Sequence, residues 1–103
     1  MTLEQIKTLL VTADPNIRHY FSMQTGDAYS YWEETRRLGM TANNRHNGGW
    51  RFYVHRYTKT ENDATAQAIF NALDADPRTT VIWTNGGYDQ ESGYIHHIFE
   101  CEG

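Results

Sequence analysis

Both prolines of this chain fall in the same phrase, Ala-Asp-Pro, at residues 13–15 and 75–77. Proline supplies no backbone N–H and steers the residue before it away from helical geometry. Any helix that reaches either phrase therefore stops there, and helical periodicity reaches both. Leu3, Ile6 and Leu10, with Leu9 beside them, share one broad face. Thr2 and Gln5 have the spacing of a capping box, in which a hydroxyl takes one orphan amide and a glutamine side chain reaches back to another. This predicts a helix over about residues 3–12. Ahead of the second phrase, Ala66, Ile69, Phe70 and Leu73 repeat at i, i+3, i+4 and i+7. Thr60 or Asn62 is the expected cap there, and Glu61 and Asp63 set negative charge at the positive end of the helix dipole. The shared ending hints at a duplication, but Asp-Pro is a common stop signal and nothing is built on it.

Between and after these helices lie runs rich in aromatic and β-branched residues, at 16–22, 28–34, 50–58, 79–84 and 93–100. Such residues suit a pleated, half-buried surface. In the third run Trp50, Phe52 and Val54 alternate with Arg51, Tyr53 and His55, a period of two. The segments 24–27 and 85–93 supply turn residues, the second as a connection of about nine residues. The expected fold is α+β in the order α-β-β-β-α-β-β, a mostly antiparallel sheet of four to five strands with both helices on one face. A helix this short is marginal alone in water, so each draws its stability from the apolar face it lays on the sheet.

Composition narrows the function classes. At 103 residues the chain makes one domain, long enough to bury roughly 65% of its unfolded surface. A net charge of −4 and a pI near 5.6 argue against specific nucleic-acid binding, which usually leaves a clustered basic footprint. The single cysteine forms no internal disulfide. No charged start with a long apolar run marks a signal peptide or membrane span, so a reduced, cytoplasmic setting is the expectation, with no membrane partner.

The closing stretch "GYIHHIFECEG" concentrates the residues that could carry chemistry. In an extended strand neighbouring side chains point to opposite faces. His97 then shares a face with Ile95, Phe99 and Cys101, and His96 one with Tyr94, Ile98 and Glu100. His97 and Cys101 stand roughly 13 Å apart at about 3.3 Å per residue, too far to share a zinc ion without a bend. A composite site in which His19 or His55 approaches His96 or His97 across the sheet stays open. Carboxylates offer no located acid/base pair, because Glu33 and Glu34 diverge in a strand and Glu61 and Asp63 are explained by capping. No phosphate-binding glycine loop, nucleophile elbow or zinc-helix signature occurs, and Asn-Gly-Gly at 47–49 and 85–87 is turn material. No catalytic residue, metal ligand or cofactor is assigned.

Two features point outward instead. The segment 36–49, with Arg36, Arg37, Arg45 and His46, is too long for an ordinary connection. It is either a solvated hairpin tip or an arm that orders against a partner, with Arg36, Arg37, Met40, Arg45, His46 and Trp50 as its contact residues. Seven Tyr and three Trp exceed what one helical layer covers, so part of that load is expected to meet a partner.

With these elements placed, "ADPNIRHYFS", "AYSYWEE", "YTKTENDATAQAIFNAL" and "GGYDQESGYIHHIFE", in order over about two-thirds of the chain, look similar to small prophage-encoded proteins of the head–tail joining region. These resemble the tail-completion, or tail-terminator, class of long-tailed phages. The most specific parts are Tyr57, Thr58, Lys59, Glu61 and Asp63 at the strand-to-helix junction, then Tyr88, Glu91, Gly93, Ile95 and His96. The resemblance implies an α+β subunit that assembles as a ring, a hexamer on that pattern, capping the tail tube and facing the head connector. It would be made in the host cytoplasm and end in the virion. It brings no catalytic residues, and Tyr57, Lys59, Glu61 and Asp63 enter as structural junction residues. The basic stretch 36–46 and the His-His pair depart from the pattern. A non-enzymatic morphogenesis protein is thus the leading expectation. The alternatives are a small metal-binding or enzymatic domain using strand histidines, and a ligand- or peptide-binding module using an open aromatic face.

Overall fold

A computed structural model describes residues 1–21, 26–39 and 48–103. Its elements run α1 (Leu3–Ala13), β1 (Arg18–His19), β2 (Ala28–Arg37), β3 (Trp50–Thr58), α2 (Ala64–Ala75), β4 (Thr80–Tyr88) and β5 (Ile95–Glu102). The strands form one sheet in the order β1-β2-β3-β5-β4, antiparallel throughout except for the parallel β1–β2 pair. The fold is α+β, in the element order that the sequence predicts.

The capping box at Thr2 is present: Thr2 Oγ1 accepts from the Gln5 amide at 3.1 Å, and the Thr2 amide donates to Gln5 Oε1 at 2.9 Å. Ile6 and Leu10 of α1 and Ala66, Ile69 and Leu73 of α2 are fully buried against Trp32, Phe52, Val54 and Phe99. Each large side chain so buried contributes about 1.5–3 kcal/mol, so this single layer of contact between helices and sheet holds the domain.

Four local expectations need correction. The run at 16–22 yields only a two-residue strand, because Tyr20 takes a left-handed φ of 72° and turns the chain off the ladder. Asp63, rather than Thr60 or Asn62, caps α2: its carboxylate accepts from the Ala66 amide at 3.0 Å, while Asn62 is spent in a left-handed turn at φ 55°. Asn85, Gly86 and Gly87 lie inside β4 as a bulge, not in the turn, which is confined to the few residues between Tyr88 and Ile95. Finally, Arg36 and Arg37 belong to β2, which pairs with β3 up to Arg37–Trp50, and the ladder continues as the Leu38 amide donates to the Gly49 carbonyl at 2.8 Å. Met40, Arg45 and His46 lie outside the described residues.

Candidate functional site on the open face of the sheet

Period-two alternation sends the apolar half of β2, β3 and β5 under the helices, so the other half is left on a face that no helix covers. The register then decides which of those side chains meet. Tyr29, Tyr57, His96 and Gly87 lie abreast, and Tyr31, His55, Ile98 and Thr84 form the next row. Tyr29 stacks on Tyr57 at 4.7 Å between ring centroids, Tyr57 on His96 at 4.1 Å and Tyr31 on His55 at 4.5 Å. Tyr94 stands nearly perpendicular to Tyr29 and Tyr57 and donates its hydroxyl to the Gly26 carbonyl at 2.6 Å.

His55 Nδ1 and His96 Nε2 are 2.9 Å apart, a hydrogen bond in which one ring donates and the other accepts. His55 Nε2 is buried without a hydrogen-bond partner, 3.5 Å from Glu33 Oε1. Burial biases both imidazoles toward the neutral form. Burial, then the neighbouring His55 and His97, pushes the His96 pKa down to about 4. Burial also lowers His55, against the pull of Glu33. Burial beside Tyr31 and Tyr29 raises Tyr57 to about 12. The cross-sheet meeting left open in the sequence thus occurs for His55 and His96 alone. His19 turns elsewhere, bonded to Glu34 at 2.7 Å and stacked on Trp32, and His97 lies under the helices, accepting from Trp83 Nε1 at 3.1 Å. Cys101 is buried, and burial raises its thiol pKa, so it is inert as a nucleophile. Among the described residues no group of three or more His, Cys, Asp or Glu could hold a metal ion.

Beside the aromatic row the β4–β5 turn borders an open cavity of about 280 Å³, lined by Tyr29, Tyr57, Tyr88, Tyr94 and His96 together with Gly86, Gly87, Asp89 and Ser92. The bulge builds one wall. A side chain at Gly86 would put Cβ 2.9 Å from His96 Nδ1, and Gly87 has a φ of 113° that favours glycine.

The junction residues divide between the two faces. Asp63 sits under the helices and binds Arg56 through Nε at 2.8 Å and Nη2 at 3.3 Å; Arg56 also reaches Ser30 at 3.1 Å and lies 3.7 Å from Asp14. One buried guanidinium therefore ties the end of α1, the start of α2 and β2 together. Tyr57 faces the open side, Lys59 places Nζ 5.0 Å over the Tyr94 ring, and Glu61 is exposed. Sequence reasoning passed over Arg56 and Asp14. The signal was there, since Arg56 falls in step with Phe52, Val54 and Thr58, and a charge in an apolar row needs a buried partner. Of the expected arm residues, Arg36 is exposed and stands opposite Arg51. Arg37 lies 4.8 Å over the Trp50 ring, and Trp50 packs against the core.

The outer edge of the sheet is β4. It carries no charged side chain from Thr80 to Tyr88, and Ile82 and Tyr88 are each more than 60% exposed. Among the described residues no helix is long and apolar enough to cross a membrane.

No family model matches the chain, and no curated protein matches it either. Among solved structures it is similar to one described as the sheath/tube terminator, in the extended state, of an extracellular contractile injection system, PVC. The TM-score is 0.37 at 9% identity, over 97% of this chain and 55% of that one. The chain thus spans about half the length of that subunit, and a likeness this slight decides nothing about function.

Proposed function

We propose that this chain is a non-enzymatic phage morphogenesis protein of the tail-completion or tail-terminator class, which self-associates into a ring at the head–tail junction. The tail tube and the head-connector proteins are its partners; it is made in the host cytoplasm and ends in the virion. The sequence resemblance suggests the class, and one structural observation carries the reading: the sheet is covered on one face only. Its other face bears half-buried stacked aromatics, and its β4 edge is long and free of charge. Unprotected edges invite pairing with another chain, and a closed ring removes them. Arg36 remains available to a neighbouring subunit or the tube, whereas Arg37 and Trp50 serve first to close the hairpin.

Analytical ultracentrifugation of the purified chain, alone and with its tail-tube protein, tests this. The expected result is a discrete ring, six copies on the family pattern. A chain that stays monomeric at about 1 mM and with the tube protein present would overturn the reading, since an interface that fails at that concentration is worth less than about 4 kcal/mol.

The His55–His96 pair favours a second reading, a metal-binding or enzymatic domain. Stoichiometric zinc or copper retained through purification, and lost on His96→Ala, would establish it. A protein that binds neither metal would leave the pair as part of the aromatic stack.

A further inference from the structure

The cavity beside the aromatic row is not accounted for by ring assembly. At about 280 Å³ it lies just below the range of small-molecule sites and has room for one side chain or one headgroup. Four tyrosines contribute to its lining, and Asp89 supplies the one formal charge among the lining residues. That carboxylate is fixed by the Glu91 amide at 3.0 Å and the Ser92 hydroxyl at 2.9 Å. His96 adds an uncharged ring. Aromatic rings beside a single carboxylate favour a monovalent organic cation over an anion. The cluster already holds one: the Lys59 ammonium, from outside the lining, sits 5.0 Å over the Tyr94 ring.

We propose that this cavity receives the cationic side chain of an arginine or lysine presented by a partner protein, with Asp89 as its counter-charge and Tyr88 and Tyr94 as the rings it meets, since Tyr57 is already stacked on both faces by Tyr29 and His96. Lys59 is then a competitor from within the chain. The inference does not depend on the ring reading: a monomeric chain could bind such a side chain, and a ring could leave the cavity empty.

Titration of the full ¹⁵N-labelled chain with N-acetyl-arginine amide and N-acetyl-lysine amide tests it, read by NMR at the amides of Gly86, Gly87 and Tyr88. The neutral isostere N-acetyl-citrulline amide and a methyl glucoside serve as controls. Saturable shifts with a low-millimolar Kd are expected for one or both cations. Citrulline should bind about fivefold more weakly, the difference a single exposed cation–π contact makes. Asp89→Asn should weaken the cation about fivefold while leaving the remaining spectrum in place, and Lys59→Gln should strengthen it. Should Asp89→Asn disturb the turn, Tyr88→Leu replaces an exposed ring with no hydrogen bond to lose and should weaken binding likewise. Equal shifts from citrulline and arginine, tighter binding of the glucoside, or no saturable shift up to about 20 mM, some 2 kcal/mol of affinity, would overturn the proposal.

Discussion

Two substitutions at Asp63 separate its two duties. Oδ2 accepts both the Ala66 amide and Arg56 Nε, so one oxygen caps α2 and holds the buried guanidinium. Asn is as good an N-cap as Asp, so Asp63→Asn keeps the cap but removes the charge opposite Arg56. A hydrogen bond to a charged group contributes about 1.5–3 kcal/mol, and breaking a buried pair costs about 3–5. Asp14, 3.7 Å from Arg56, remains as a partial counter-charge, so a loss of about 2–3 kcal/mol is expected. Asp63→Ala also forfeits the cap and should lose about 1 kcal/mol more. Arg56→Met leaves Asp14 and Asp63 buried without a cation and should cost about 3–5 kcal/mol.

Urea denaturation at pH 7 reads all three, and the Arg56→Met/Asp63→Asn double variant closes the cycle. Its cost should fall short of the sum of the singles by about 1–3 kcal/mol. The acid limb supplies an independent sign. Burial alone would raise the Asp63 pKa, but the hydrogen bonds from Arg56 and the Ala66 amide outweigh it and hold the carboxyl below its ordinary 3.8. A depressed carboxyl contributes stability that is fully present above the unfolded pKa and lost as pH falls through the folded one. The gap between wild type and Asp63→Asn should therefore be constant above about pH 5 and close in stronger acid. An Asp63→Asn protein within 0.5 kcal/mol of wild type, beside an Asp63→Ala protein that loses only the cap, would show that the ion pair contributes nothing and refute the reasoning.

Three further outcomes are expected. His96 has a folded pKa of about 4 against an ordinary 6.5, so the native state prefers it neutral; stability should be complete above pH 6.5 and fall by on the order of 1–2 kcal/mol toward pH 4, after discounting for solvent screening, with His96→Gln removing that slope in melts at pH 5 and 7. Gly86→Ala drives Cβ to 2.9 Å from His96 Nδ1 and 3.0 Å from Ile98 Cδ1, so it should cost about 1–3 kcal/mol by urea denaturation, and a neutral result would mean that the bulge relaxes freely. Cys101 should resist a thiol reagent in the native state and react at the rate set by unfolding; labelling as fast as a free cysteine's would contradict its burial.

The sequence disclosed what local periodicity controls. Leu3, Ile6 and Leu10, the Thr2–Gln5 box, the Asp-Pro stops and the alternation through Trp50–Thr58 all reappear because each is settled within one element. Features that depend on two elements were hidden. Thr60, Asn62 and Asp63 are equally apt caps by residue type, and what selects Asp63 is a guanidinium delivered from β3. Asn85-Gly86-Gly87 has a turn's composition, but the register of β4 against β5 makes it a bulge over the His96 ring. Alternation correctly separates His96 from His97, yet only the β3–β5 register puts His96 beside His55. The sequence gives no mark that Tyr20 will turn left-handed and end β1 after two residues.

The two faces of the sheet handle polarity in opposite ways, and this bears on what can dock. Beneath the helices Arg56 and Asp63 are paired at 2.8 Å, a bond that any rearrangement would have to break. On the open face burial moves the groups of the aromatic row toward their uncharged forms: His55 and His96 are pushed down, and Tyr29 and Tyr57 up. Removing water from a neutral polar group costs about 0.5–3 kcal/mol, much less than stripping an ion. Formal charges gather toward the other end of the face, at Glu33, Glu100, Arg36 and the Arg51–Glu102 pair. A neutral, aromatic centre beside a charged border is the anatomy of a protein interface. The same neutral rings make the centre of the open face less costly to cover than a patch of ions would be.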